Sequence, residues 1–140
     1  MTTEQINPER EQLIQQKYSE LYQFDMHIKQ IEQQINAINN QLNELDFVTQ
    51  GLESLKDVEE NTEVNCMFTP GIFIKTKIVD NKKVLLNVGS GTVVEKSIDD
   101  AKKLLEGQKA DIIMVQNELM LKFEEYNEQA RNLQKEFKTL

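Results

Sequence analysis

Tryptophan is absent from the 140 residues, cysteine occurs once, proline twice and glycine five times. The single cysteine, Cys66, excludes an internal disulfide framework and suits a reducing compartment. So few prolines and glycines leave the chain little to break long elements with. Cations are also short, 16 Lys+Arg against 24 Asp+Glu, for a formal net charge of −8. That balance argues against nucleic acid, whose phosphates are held by clustered cations, and against an anionic membrane surface. No run approaches the roughly 18 apolar residues of a membrane span. The opening Met1-Thr2-Thr3-Glu4-Gln5 lacks the apolar stretch of a secretory leader. One cytosolic domain, residues 1–140, is the expectation.

What is present is Gln, Asn, Glu, Lys, Leu and Ile, with an apolar fraction of 39%. This composition suits long solvated helices better than a thick core. In residues 8–57, Asn7 is a good N-cap and Pro8 fits the first helical position. Behind them, Ile14, Leu21, Ile28, Ile35 and Leu42 recur every seven residues, as do Phe24, Ile31, Ile38, Leu45 and Leu52. Two apolar positions per heptad make a coiled-coil seam.

Residues 63–96 change period. Val64, Cys66 and Phe68 alternate with Asn65, Met67 and Thr69, and Ile72, Ile74, Thr76 and Ile78 alternate with Phe73, Lys75, Lys77 and Val79. Val84, Leu86 and Val88 follow, then Val93 and Val94. Pro70-Gly71, Asp80-Asn81-Lys82 and Gly89-Ser90-Gly91 supply turn chemistry between them. Four short strands in two hairpins are expected. Residues 97–140 return to helix, with Ser97 as N-cap before Asp99 and Asp100. Ile98, Leu105, Ile112, Leu119, Tyr126, Leu133 and Leu140 then recur every seven residues. Ala101 and Val115 fill the accompanying seam position early; Phe123, Ala130 and Phe137 fill it later, one residue out of phase.

The predicted fold class is α+β, mainly α. Folding the chain back as an antiparallel hairpin, with facing residue numbers summing to 154, sets Leu21 against Leu133 and Ile35 against Leu119. The same register makes both ends flush. Parallel dimerisation through each helix is the alternative. Some 30 residues of open-edged strand hold too little core to stand alone and need other chains. The expected assembly residues are Val64, Phe68, Ile72, Ile74, Ile78, Val84, Leu86 and Val88.

Catalytic chemistry finds no footing. Gly89-Ser90-Gly91 lacks the spacing and the Lys-Ser/Thr of a phosphate loop. His27 is the only histidine and has no ligand-spaced partner, so no metal is expected. Cys66 falls on the apolar parity of its strand and reads as a buried structural thiol. Glu59-Glu60, Asp99-Asp100 and Glu124-Glu125 read as cap and solvated-face charges. Neither catalytic residues nor cofactors are assigned.

Phe68-Thr69-Pro70-Gly71-Ile72-Phe73-Ile74-Lys75-Thr76-Lys77-Ile78 resembles the first hairpin of the prefoldin alpha family. Lys83-Val84-Leu85-Leu86-Asn87-Val88-Gly89-Ser90-Gly91-Thr92-Val93-Val94-Glu95-Lys96 resembles its second, and Ser97-Ile98-Asp99-Asp100-Ala101 its entry into the last helix. Cys66-Met67 departs from the plainer aliphatics usual there. The resemblance implies a long antiparallel two-helix coiled coil with two inserted β-hairpins, which form part of an oligomeric β-barrel hub. It implies a hexamer of two alpha with four beta subunits, and the composition, rich in Ile, Asn, Lys and Glu, points to an archaeal source. It also implies an ATP-independent chaperone that holds unfolded client proteins at its coiled-coil tips and passes them to a group II chaperonin. On this chain the tip residues are Leu13, Ile14, Tyr18, Leu21, Leu133, Phe137 and Leu140. A structural or filament-forming prefoldin-like protein is the alternative.

Overall fold

A computed structural model describes residues 7–139. Helix α1 runs Pro8–Lys56, strands β1 Glu63–Thr69, β2 Ile72–Lys77, β3 Lys83–Asn87 and β4 Val93–Ser97 follow, and helix α2 runs Ile98–Thr139. The chain forms two compact units, Met1–Asn40 with Ile113–Leu140, and Gln41–Ile112.

Both helices begin where their caps dictate. The Glu9 amide donates to Asn7 Oδ1 at 3.1 Å, and the Asp100 amide to Ser97 Oγ at 3.1 Å. Each cap satisfies an amide that has no partner inside its own helix. All ten seam residues named above on α1 are at least half-buried, with Ile31 buried. A stripe this narrow leaves most of a helix in water, and its buried positions need a second helix to cover them.

In the unit carrying both chain ends, that partner runs antiparallel. Lys17 Nζ lies 2.7 Å from Glu136 Oε2, and Gln116 Nε2 donates to Asn39 Oδ1 at 2.6 Å. Both pairs fall within one residue of the predicted register. Among the described residues, Ile31, Ala130 and Leu133 are its buried ones. The structure corrects one assignment here. Val115 is 47% exposed, and the half-buried position belongs to Gln116. Gln116 stands seven residues before Phe123, in line with Ala130 and Phe137, so within this unit the seam of α2 keeps one phase. Only its chemistry changes, from polar to apolar.

In the unit Gln41–Ile112 the same steps carry lysines that reach α1. Lys109 Nζ lies 2.7 Å from Asp46 Oδ1, Lys102 pairs with Glu53, and Lys56 pairs with Asp99. Ile98 and Ala101 are buried beneath this charged layer. The Lys102 hydrogen bond holds the Glu53 carboxyl below its ordinary value of 4.5, and the Lys56 hydrogen bond holds Asp99 below 3.8. Asp99 in turn raises the Lys56 ammonium above 10.5.

Two separate two-stranded antiparallel sheets complete this unit, β1–β2 and β3–β4. Cys66 faces Ile74 and Val64 faces Thr76 across the first; Leu86 faces Val94 and Val84 faces Lys96 across the second. A bulge between Met67 and Thr69 lifts Phe68 out of the expected alternation. The turn after β3 has positive φ at Gly89 (117°), Ser90 (52°) and Gly91 (73°), a path glycine follows without steric cost. Asp80 Oδ1 accepts from the Lys82 and Lys83 amides and turns the chain between the hairpins. No strand residue is buried, and Cys66, expected inside, is exposed, because a two-stranded sheet has no second layer to cover it.

Two outcomes follow. A Cβ at Gly51 or Gly107 meets nothing within 4 Å, so neither helical glycine is required by packing within the chain. Gly51→Ala and Gly107→Ala should each stabilise the chain by up to about 1 kcal/mol in denaturant melts. The ion pairs give the second. The depressed carboxylates add stability above their ordinary values and lose it as pH falls through the lowered ones; raised Lys56 adds stability until pH climbs past its elevated value. Replacing Lys56 and Lys102 by Met should therefore lower Tm at neutral pH. Wild type and variant should converge in Tm once pH has fallen through the lowered carboxylate values, or in molar salt.

Candidate interaction surfaces

The unit holding both chain ends presents its apolar residues unevenly. Tyr18, Tyr22 and Met26, spaced four residues apart on one face of α1, are 60%, 66% and 55% exposed, and Leu13 is 41% exposed. Tyr18 also touches Phe137, ring centroids 4.6 Å apart, so the exposed ring is held rather than free. Ile14, Leu21 and Phe137 are half-buried. Leu133, predicted as a tip contact, is only 7% exposed and closes the helix pair. Leu140 lies outside the described residues. Tyr22 and Met26 carry a signal that heptad counting passes over, a run of four-residue steps off the seam.

Farther along α1, Tyr126 lies 6.1 Å from Phe24 and stacks on His27 at 5.4 Å. His27 is thus a ring contact across the helix pair. Among the described residues, no group of three or more His, Cys, Asp or Glu side chains is placed to hold a metal ion. Among the described residues, no helix is long and apolar enough to cross a membrane.

The hairpins are the second surface. Of the predicted assembly residues, Phe68, Ile72, Ile74 and Val88 are 74%, 54%, 47% and 50% exposed. Val64, Ile78, Val84 and Leu86 are half-buried. The opposite faces are apolar too. Met67 pairs with Phe73 across β1–β2, and both are exposed, as are Val79, Leu85 and Val93. Alternation named one face of each hairpin; the structure presents apolar groups on both. Exposed apolar groups this dense mark an interaction surface.

A family model described as prefoldin subunit matches residues 24–140. By sequence the chain is similar to prefoldin subunit alpha 1 of Thermococcus kodakarensis, 36% identical over 88 residues that cover 59% of this chain and 60% of that protein. It is similar also to prefoldin subunit alpha 1 of Methanocaldococcus jannaschii, 28% identical over 126 residues, 90% of this chain and 86% of that one. The chain spans about three fifths of the length of the first curated relatives it matches. Among solved structures, a chain of the filamentous PFD of Methanocaldococcus jannaschii, determined by cryo-EM, has the same fold, with TM-score 0.75 at 18% identity over 83% of this chain and 96% of that chain.

The geometry separates closing residues from offered ones. Leu133→Ala should destabilise the helix pair by about 2 kcal/mol or more, as buried Leu truncations do. Tyr22→Ala should leave thermal melting within roughly 0.5 kcal/mol of wild type.

Proposed function

The chain belongs to the prefoldin subunit family and is of the alpha kind, and from that premise we propose that it is an ATP-independent chaperone subunit which holds non-native proteins on the unit carrying both chain ends. The observation that carries this reading is the exposed run Leu13, Tyr18, Tyr22 and Met26 beside the helix ends. Helix ends open locally more readily than helix middles, which adds half-buried Ile14, Leu21 and Phe137 to the offered surface. Fully burying one such side chain is worth roughly 1.5–3 kcal/mol, so a client is held by several weak contacts together. That mode needs no nucleotide and no reaction.

The whole chain acts as one prefoldin-like domain, and its strands are the assembly surface. Each hairpin has two unpaired edges and uncovered apolar faces, which strands of beta-type subunits would pair and cover. Two alpha and four beta subunits would close such a hub in the cytosol, with delivery of clients to a group II chaperonin. Unpaired edges equally suit open-ended addition, and a filament is the second reading.

One experiment addresses both surfaces. Mixed with a candidate beta subunit, the wild-type chain should assemble and suppress aggregation of a denatured enzyme. Replacing Leu13, Tyr18 and Tyr22 by Ser should preserve the mass of the complex and reduce protection stepwise. Asp at Ile74 and Leu86 should abolish assembly while the helical circular dichroism remains, since a buried unpaired charge costs several kcal/mol. Full protection by the triple Ser variant at equal stoichiometry would place client holding elsewhere. Particles that lengthen with concentration would favour the filament.

A further inference from the structure

Midway along the unit that carries both chain ends, a groove of about 440 Å³ opens between the helices, lined by Glu32, Ile35 and Asn36 of α1 and by Met120, Phe123 and Glu124 of α2. Its volume is that of a small-ligand site. Ile35 and Phe123 are half-buried seam residues, and Met120 is 48% exposed beside them. The apolar lining is therefore continuous with the seam but open to water. Glu32 and Glu124 border it, and neither carboxylate makes an ion pair among the described residues.

The composition of this groove selects an occupant. A purely apolar segment would cover Ile35, Met120 and Phe123 but bring hydrocarbon against two charged carboxylates, which desolvation opposes. An acidic segment would add like charge to them. A lysine or arginine satisfies both parts, because its methylene stem lies along apolar surface while its head reaches a carboxylate. The face of the Phe123 ring also attracts a cation held above it. Met120 suits a varied occupant, since its unbranched thioether repacks around different shapes. Another groove, bordered by Gln41, Glu44, Leu45, Val48, Gln108 and Ile112, has one carboxylate where this one has two.

We infer that this groove is a subsite for basic amphipathic stretches of a non-native polypeptide, taking an apolar side chain against Phe123 and Met120 and a neighbouring lysine or arginine between Glu32 and Glu124. The inference rests on the client-holding reading and narrows it, giving the chaperone a charge preference among otherwise equally apolar segments. It also assigns part of the holding surface to the middle of the helices rather than to their ends.

The test uses the full-length chain, assembled with its beta-type partner, and two fluorescent peptides with identical apolar residues. One carries lysine and the other glutamate at the interspersed positions. Fluorescence anisotropy at low salt should show the lysine peptide bound about fivefold more tightly, the scale of two partly exposed ion pairs. The preference should shrink in 0.5 M salt. E32Q with E124Q should remove most of it and leave binding of the glutamate peptide unweakened. E59Q with E60Q makes the same change in net charge at carboxylates that do not line the groove, and should keep the preference. Loss of preference to the same degree in both double variants, or its survival in E32Q/E124Q, would overturn the subsite. Equal binding of both peptides by a complex that still protects a denatured enzyme would overturn the subsite and leave the client-holding reading standing. Binding of neither peptide, with no protection, would overturn both.

Discussion

Everything in this chain follows from a shortage of coverable apolar surface. A seam of two apolar positions per heptad is too narrow to make a core and too regular to leave in water, so α1 and α2 must pair. Even then the described residues show few buried side chains, Ile31, Ala130 and Leu133 in one unit and Ile98 and Ala101 in the other. The hairpins are poorer still, since two strands enclose nothing. A chain that cannot finish its own core offers apolar surface to other chains. On the function proposed above, that is both how this subunit assembles and how it holds a client.

Because apolar contacts are non-directional, they do not choose a register among several that would bury a similar area. The polar residues make that choice. Lys102, Lys109 and Gln116 occupy positions where a coiled coil would ordinarily place aliphatics, and they reach Glu53, Asp46 and Asn39 across the helix pair. Such exposed pairs add little stability each. Their worth is in what they penalise, since a slip of a few residues would leave lysines in half-buried positions without carboxylates. The lowered Glu53 and Asp99 and raised Lys56 express the same preference in their titration.

Exposure divides apolar residues of similar chemistry into two roles. Leu133 and Tyr22 belong to the same unit, yet one closes the helix pair and the other faces water. The groove at Phe123 lies between these extremes, with its floor shared by the seam and its rim charged. If clients are held as proposed, the holding surface grades from structural to available without a boundary, and clients of different shape need not use the same residues.

The periods of the sequence determined the element order, because periods of seven and of two record which side of each element must leave water; the flush ends, not the periods, favoured the antiparallel pairing over the parallel one. Caps at Asn7 and Ser97 marked both helix starts for a related reason, since an orphan amide needs a nearby acceptor. What a period of apolar residues does not record is a polar residue standing in an apolar position. Val115 therefore looked like seam, and Gln116, which lies there, did not. Phe68 left its strand's alternation through a bulge between Met67 and Thr69, and no count of alternating residues contains that extra step. The exposure of Tyr22 and Met26 and the Glu32–Glu124 groove were decided only by tertiary structure. Exposure depends on how far the opposing helix reaches, and a groove exists only where side chains from two distant segments fail to fill the space between them.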